Sequence, residues 1–214
     1  MKITLTFDNG PFADVTPKVL ETLDRHGIRV TFFVLGKRMA RPGLHALAEQ
    51  AFAAGHRIGN HSFSHATAFG DLPNPQDAIA EIEDTERLLG SLAGAEKLFR
   101  PMGNSGKLGP HLLNRLAWDH LIANGYTCVL WNQLAYEWEN HHGWLEPTLA
   151  DITTRDWSLQ VLHDVPNDGA MRHLDDFIVR LKDKGAEFVQ DFPDDCVPLR
   201  KGVVQWNKEL MPAD

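Results

Sequence analysis

Thr6-Phe7-Asp8-Asn9-Gly10-Pro11 and, further along, His61-Ser62-Phe63-Ser64-His65 are the stretches on which this chain turns. Residues Lys2 to Phe7 alternate and are rich in β-forming side chains, which predicts a strand closed by a tight turn at Gly10-Pro11. That turn leaves an acid, Asp8, and an amide, Asn9, at the strand tip. In the second stretch two histidines stand four residues apart, a spacing that one helical turn would convert into two rings aimed at one point. Convergent imidazoles and a strand-end carboxylate are the parts of a metal-dependent hydrolase.

Working outward, strand and helix signals alternate. Thr16 as N-cap and Pro17 at the first helical position open a helix that runs to His26 and stops at Gly27. The apolar run Ile28 to Val34 predicts a buried parallel strand. Helices are expected over 42–54, 76–89, from Gly109-Pro110 to about 124, over 147–154 and over 170–184. Strands are expected over 57–60, 98–100, 126–131, 159–162 and 187–189, with an irregular stretch from Asp191. This order predicts a parallel α/β fold in one domain, 1–214. Asp8, His61, Arg100, Glu137 and His163 all fall at or just past the C-terminal end of an expected strand. Polar residues from five strand ends favour a barrel, whose sites lie on that rim, over an open sheet, which uses two neighbouring ends.

Composition narrows the partners. The formal net charge of −8 argues against nucleic acid or an anionic membrane as partner and leaves neutral carbohydrate or small amide substrates open. No apolar run is long enough for a membrane helix, and the chain opens on a strand rather than on a basic-then-apolar leader, so a cytoplasmic setting is expected. Cys128 and Cys196 lack metal or redox spacing and are expected to be a buried thiol and a loop thiol. Trp131 is expected in the core, and the histidines at 26, 45, 111 and 120 on solvated helix faces.

These residues resemble one family, the polysaccharide deacetylases of the NodB-homology type (carbohydrate esterase family 4). The likeness lies in Thr6 to Pro11, Thr16-Pro17, Thr31 to Gly36 and Gly55 to His65, and more weakly in Phe99-Arg100-Pro101-x-Gly103, Leu130-Trp131…Glu137-Trp138 and Val161 to Asp164. The resemblance implies a distorted (β/α) TIM-like barrel and hydrolysis of an N-acetyl or similar amide on a carbohydrate-like substrate. It implies Asp8 as the base acting on a metal-activated water, and Arg100 as the partner that keeps Asp8 ionised. His163 becomes the acid for the leaving amine, with Glu137 supporting it. It implies a divalent metal, zinc first, on His61 and His65, and a substrate wall from Trp138 with Pro101, Met102 and Gly103.

Four positions depart from the family pattern. Asn9 stands where an aspartate is usually the third metal ligand, and an amide carries no charge to hold Zn²⁺. Leu134 and Glu137 occupy two positions usually held by acids, the second by aspartate, and Met102 stands where an aromatic or proline is common. Two rival readings therefore stay open: a metal-independent hydrolase of a small amide or ureide, similar to allantoinase, and a carbohydrate-binding barrel that has lost catalysis.

Overall fold

The computed structural model describes residues 1–166, 168–206 and 210. Its strands in chain order are β1 (Lys2–Asp8), β2 (Thr31–Val34), β3 (Arg57–Asn60), β4 (Leu98–Phe99), β5 (Thr127–Cys128), β6 (Gln133–Leu134), β7 (Trp157–His163), β8 (Glu187–Phe188), β9 (Leu199–Arg200) and β10 (Val203–Val204). Around them lie α1 (Thr16–His26), α2 (Gly36–Met39), α3 (Leu44–Ala53), α4 (Asp77–Leu89), α5 (Arg115–Ala123), α6 (Leu145–Ile152) and α7 (Leu174–Asp183).

β1 is the organising strand. Its residues from Ile3 to Asp8 are all buried, as expected for a parallel strand covered on both faces. Ile3, Leu5 and Phe7 pack outward with Val19 and Leu23 of α1 and Phe177, Ile178 and Leu181 of α7. Thr4, Thr6 and Asp8 alternate to the opposite face. Hydrogen bonds order the sheet β10-β9-β5-β4-β3-β2-β1-β7-β6, with β8 beside the start of β1. Every pairing is parallel except β5 with β9 and β9 with β10. Among the described residues no ladder joins β6 back to the other end, so the distorted TIM-like barrel expected from the sequence is an open, curved one.

Several local expectations need correction. Thr16 is the first residue of α1 and not its N-cap. Its hydroxyl accepts from Phe12 N–H and donates to Asp164. Residues 109–114 are not helical, because the Asn114 side chain caps α5 by accepting from Ala117 N–H at 2.8 Å and the helix begins there. The strand expected over 126–131 pairs only at Thr127–Cys128, since the carbonyls of Val129 and Leu130 bond the Arg100 guanidinium instead of a ladder. The stretch from Asp191 is irregular only in part: it forms β9, β10 and a short turn of helix at Asp194–Cys196, which buries Cys196. Its last part, 207–209 and 211–214, lies outside the described residues. His111 lies on a loop and not on a helix.

Candidate active site

Asp8 ends β1 and His163 ends β7, and the two are register partners on neighbouring parallel strands. Register partners project to the same face, so both side chains reach one cleft. Asn9, the next residue, would point the other way. Its left-handed backbone, φ 72°, turns it back, and it lines the same cleft.

Behind Asp8 stands Arg100, just past β4 and fully buried. Its Nη1 donates to Asp8 Oδ1 and to Thr6 Oγ1, each at 2.8 Å. Its Nε and Nη2 donate to the carbonyls of Val129 and Leu130 at 3.1 Å, and its plane lies 4.1 Å from the Phe33 ring centroid. The guanidinium is thus fixed from four directions. Burial, the largest single influence, would raise the pKa of Asp8, but the charge and hydrogen bond of Arg100 together with His61 and His163 outweigh it, and the carboxyl is held below its ordinary value. Arg100 is therefore a buried partner of the acid rather than a surface ion pair.

His61 and His65 converge, with ring centroids 4.8 Å apart, but not on a helical turn. Residues 61–65 form a loop with Ser62 and His65 at positive φ. The loop is held by side chains from elsewhere. Glu81 of α4 accepts from the N–H groups of Phe63 and Ser64 at 2.9 and 2.7 Å, Asn60 Oδ1 accepts from Ser62 N–H at 2.9 Å, and Lys37 donates to the Ser64 carbonyl. His61 Nδ1 lies 2.8 Å from the Arg100 carbonyl, which can only accept, so Nδ1 carries the proton and Nε2 a lone pair. Burial keeps both rings neutral: it lowers the pKa of His61 and, with His61 alongside, pushes that of His65 down to about 3.

His163 has the opposite environment. Its Nδ1 meets Glu137 Oε1 at 2.6 Å, and Glu137 is fully buried, far from a surface acid. Burial works against the imidazolium, but the Glu137 carboxylate prevails and the pKa of His163 is raised. Trp138 packs edge-on to His163 with centroids 5.0 Å apart.

The donor set for a metal can be judged from these positions. Among the described residues no cluster of three His, Cys, Asp or Glu side chains suits a metal ion. Two imidazoles and one amide do meet in the cleft, however. The Asn9 amide oxygen is buried without a hydrogen-bond partner, and the His61 Nε2 lone pair faces Asp8 Oδ2 at 3.6 Å with no proton between them. The carbonyl contact at Nδ1 is also the outer-shell bond that metal-ligating histidines make. A cation fits these orphaned acceptors.

The family model for polysaccharide deacetylases matches residues 1–128. The chain belongs to the polysaccharide deacetylase family. It is 31% identical over 199 residues to a peptidoglycan-N-acetylglucosamine deacetylase of Bacillus cereus (strain ATCC 14579), a match covering 88% of this chain and 66% of that protein. The chain therefore spans just under two thirds of that relative's length. A solved peptidoglycan N-acetylglucosamine deacetylase superposes with a TM-score of 0.74 at 28% identity, over 88% of this chain and 85% of the other. The family 4 acetyl xylan esterase from Clostridium thermocellum, solved with a cobalt ion, gives 0.70 at 29% identity, over 89% and 88%.

Asp8, Asn9, His61, His65, Met102, Gly103, Trp138 and His163 line one cleft of about 340 Å³. Arg100 and Glu137 lie behind it, each against the residue it serves, and Pro101 is buried off the wall. Trp131 is in the core as expected, but one edge also lines the cleft, where Gly103 lies so close that a Cβ would sit 2.6 Å from the indole. Leu134, one of the departures from the family pattern, and Val161 of the motif Val161 to Asp164 also line it, and Asn104, Ser105, Gly106 and Val165 complete the lining. Glu81 leaves no local pattern because it acts across the fold, whereas Asn60 sits inside the motif Gly55 to His65 and bonds Ser62 N–H two residues on, a side-chain turn that its position just before His61 could have signalled. Asp164 closes the motif that begins at Val161. It is buried against Gly10, and burial pushes its carboxyl up to about 7.

Proposed function

We propose that this chain is a hydrolase that removes an acetyl group from the nitrogen of an N-acetylated sugar within a carbohydrate. The carrying observation is the pair of oppositely tuned groups on adjacent strand ends: Asp8 held ionised by Arg100, and His163 held protonated by Glu137, on one cleft. Two titratable groups whose surroundings drive their pKa values apart divide the work of base and acid. Asp8 takes the proton of the attacking water. His163 delivers a proton from Nε2 to the leaving nitrogen, which is otherwise a poor leaving group. Arg100 and Glu137 act through these two. The backbone after Pro101, at Met102 and Gly103, borders the place where oxyanion charge develops, and Trp138 walls the sugar.

His61, His65 and Asn9 would hold a divalent metal, with zinc the expected ion. When bound it would polarise the acetyl carbonyl and make water acidic enough to attack at neutral pH. The cobalt-bearing relative supports a metal here. The reported relatives are named as carbohydrate deacetylases and an esterase, which favours this reading over a ureide hydrolase or an inactive barrel. One sheet running through the described residues supports one domain over 1–214. Among the described residues no helix is long and apolar enough to cross a membrane.

The test is acetate release from N-acetylglucosamine oligomers by zinc-supplemented protein. Asp8→Asn and His163→Ala should each lower kcat by about 100-fold or more. Wild-type protein that binds these sugars but releases no acetate under any metal would exclude the reading.

A further inference from the structure

We propose that Lys37, Arg38 and Arg41, on the rim beside the metal-binding loop, form a binding site for an oxyanion, the carboxylate or phosphate of an acidic substrate. The inference rests on the deacetylase reading and adds to it the charge of the preferred substrate. The whole chain has a net charge of −8, yet Lys37-Arg38-Met39-Ala40-Arg41 places three cations within five residues and no acid among them. Met39 is buried while Lys37 and Arg41 are exposed, so the charges gather on the outer side of α2.

The backbone ties this segment to two walls of the cleft. α2 follows the C-terminal end of β2, on the same rim as Asp8 at the end of β1. Leu35 N–H donates to the Gly10 carbonyl at 3.1 Å, next to Asn9. The N–H groups of Gly36 and Lys37 donate at 3.0 Å to the carbonyls of Ser62 and Phe63, inside the loop that carries His61 and His65. Lys37 Nζ reaches further along that loop to the Ser64 carbonyl.

Arg38 carries the specific demand. Its guanidinium lies 3.9 Å from the centroid of the Phe12 ring, and Phe12 is pinned by donating its N–H to Thr16 Oγ1 at 2.8 Å. The stack fixes the plane of the guanidinium but satisfies none of its donors. Nε is buried without a hydrogen-bond partner. Among the described residues neither Arg38 nor Arg41 has a side-chain hydrogen bond or an ion pair. Acids on the neighbouring α4 are already engaged, Glu81 by the amides of Phe63 and Ser64 and Asp84 by Arg87. Burial, then the charge of Arg41, lowers the pKa of Arg38, as expected of a cation with no counter-charge. A guanidinium held flat with its donors unmade is shaped to grip a carboxylate or a phosphate by two hydrogen bonds. Arg41 and Lys37 add charge on either side.

The experiment compares acetate release by zinc-supplemented protein from N-acetylglucosamine trimers of one length that are neutral, oxidised to carboxylates at C6, or phosphorylated at O6. At low salt at least one acidic trimer should show a kcat/KM about tenfold above the neutral one, carried by KM and fading as salt rises. Which acidic trimer gains identifies the anion as carboxylate or phosphate. Arg38→Gln, and separately Arg41→Gln, should each cut the acid-to-neutral ratio to about threefold or less, whereas Arg38→Lys, which keeps the charge, should retain part of it. Equal kcat/KM for all the trimers would overturn the anion site and leave the deacetylase reading intact. An acid advantage unchanged in both glutamine variants would overturn it too. No acetate from any trimer would sink the deacetylase reading and the anion site with it.

Discussion

At the scale of single residues, the site is two ion pairs built for different ends. Arg100 and Asp8 are both buried, so removing one partner leaves an uncompensated group. Arg100→Met should destabilise the fold by about 3–5 kcal/mol in urea unfolding, and adding Asp8→Asn should recover much of that loss. For His163 the sign is set by its raised pKa. The imidazolium is the working form, so activity is lost as pH rises through that value. Glu137→Gln removes the carboxylate that raises it, and the alkaline limb of the kcat/KM profile should move to lower pH. Asp164 behaves in the opposite way to an ordinary acid. With its carboxyl pushed up to about 7, the folded protein keeps a proton that the unfolded chain sheds near pH 4. Stability should therefore fall between those values, by up to about 4 kcal/mol, and Asp164→Asn should flatten that dependence in denaturation curves taken across pH. The acid at 8 was legible in the sequence because motif and strand end coincide, and that at 137 less so, because it departs from the family's aspartate and lies three residues past β6. The role of Asp164 was not, because burial against Gly10 and Thr16 is a property of the packed loop.

At the scale of elements, the loop at 61–65 shows what spacing can and cannot say. Four-residue separation implied convergence, and the rings converge, yet the backbone is a loop whose amides are satisfied by Glu81, Asn60 and the neighbouring strands. Nothing local to His61 and His65 announces Glu81, which comes from α4. Glu81→Ala should lower zinc affinity by about 10- to 100-fold, read by competition with a chelating dye, with secondary structure preserved. The shortened strand at Thr127–Cys128 has a similar cause. A β-rich run reads as a strand, but the guanidinium of Arg100 takes the carbonyls that a ladder would have used.

At the scale of the molecule, alternation of strands and helices and the placing of five polar residues at strand ends were enough to anticipate a parallel barrel with its site on one rim. The missing closure was not legible, since it depends on short strands, β6, β9 and β10, that lack enough residues to show a period. The acidic surface carries a further consequence. Turnover of an uncharged oligosaccharide should change little between low and high salt, because the net charge of −8 gives no steering to a neutral ligand.

On the proposed function, two imidazoles and an amide suffice to run this site as a deacetylase. The measurement that tests it most directly is acetate release from a chito-oligosaccharide while metal-free protein is titrated with Zn²⁺. Activity should rise and saturate near one equivalent, with no such rise in a His61→Ala/His65→Ala protein. Full activity in the presence of a strong chelator, or none at any zinc loading, would contradict it.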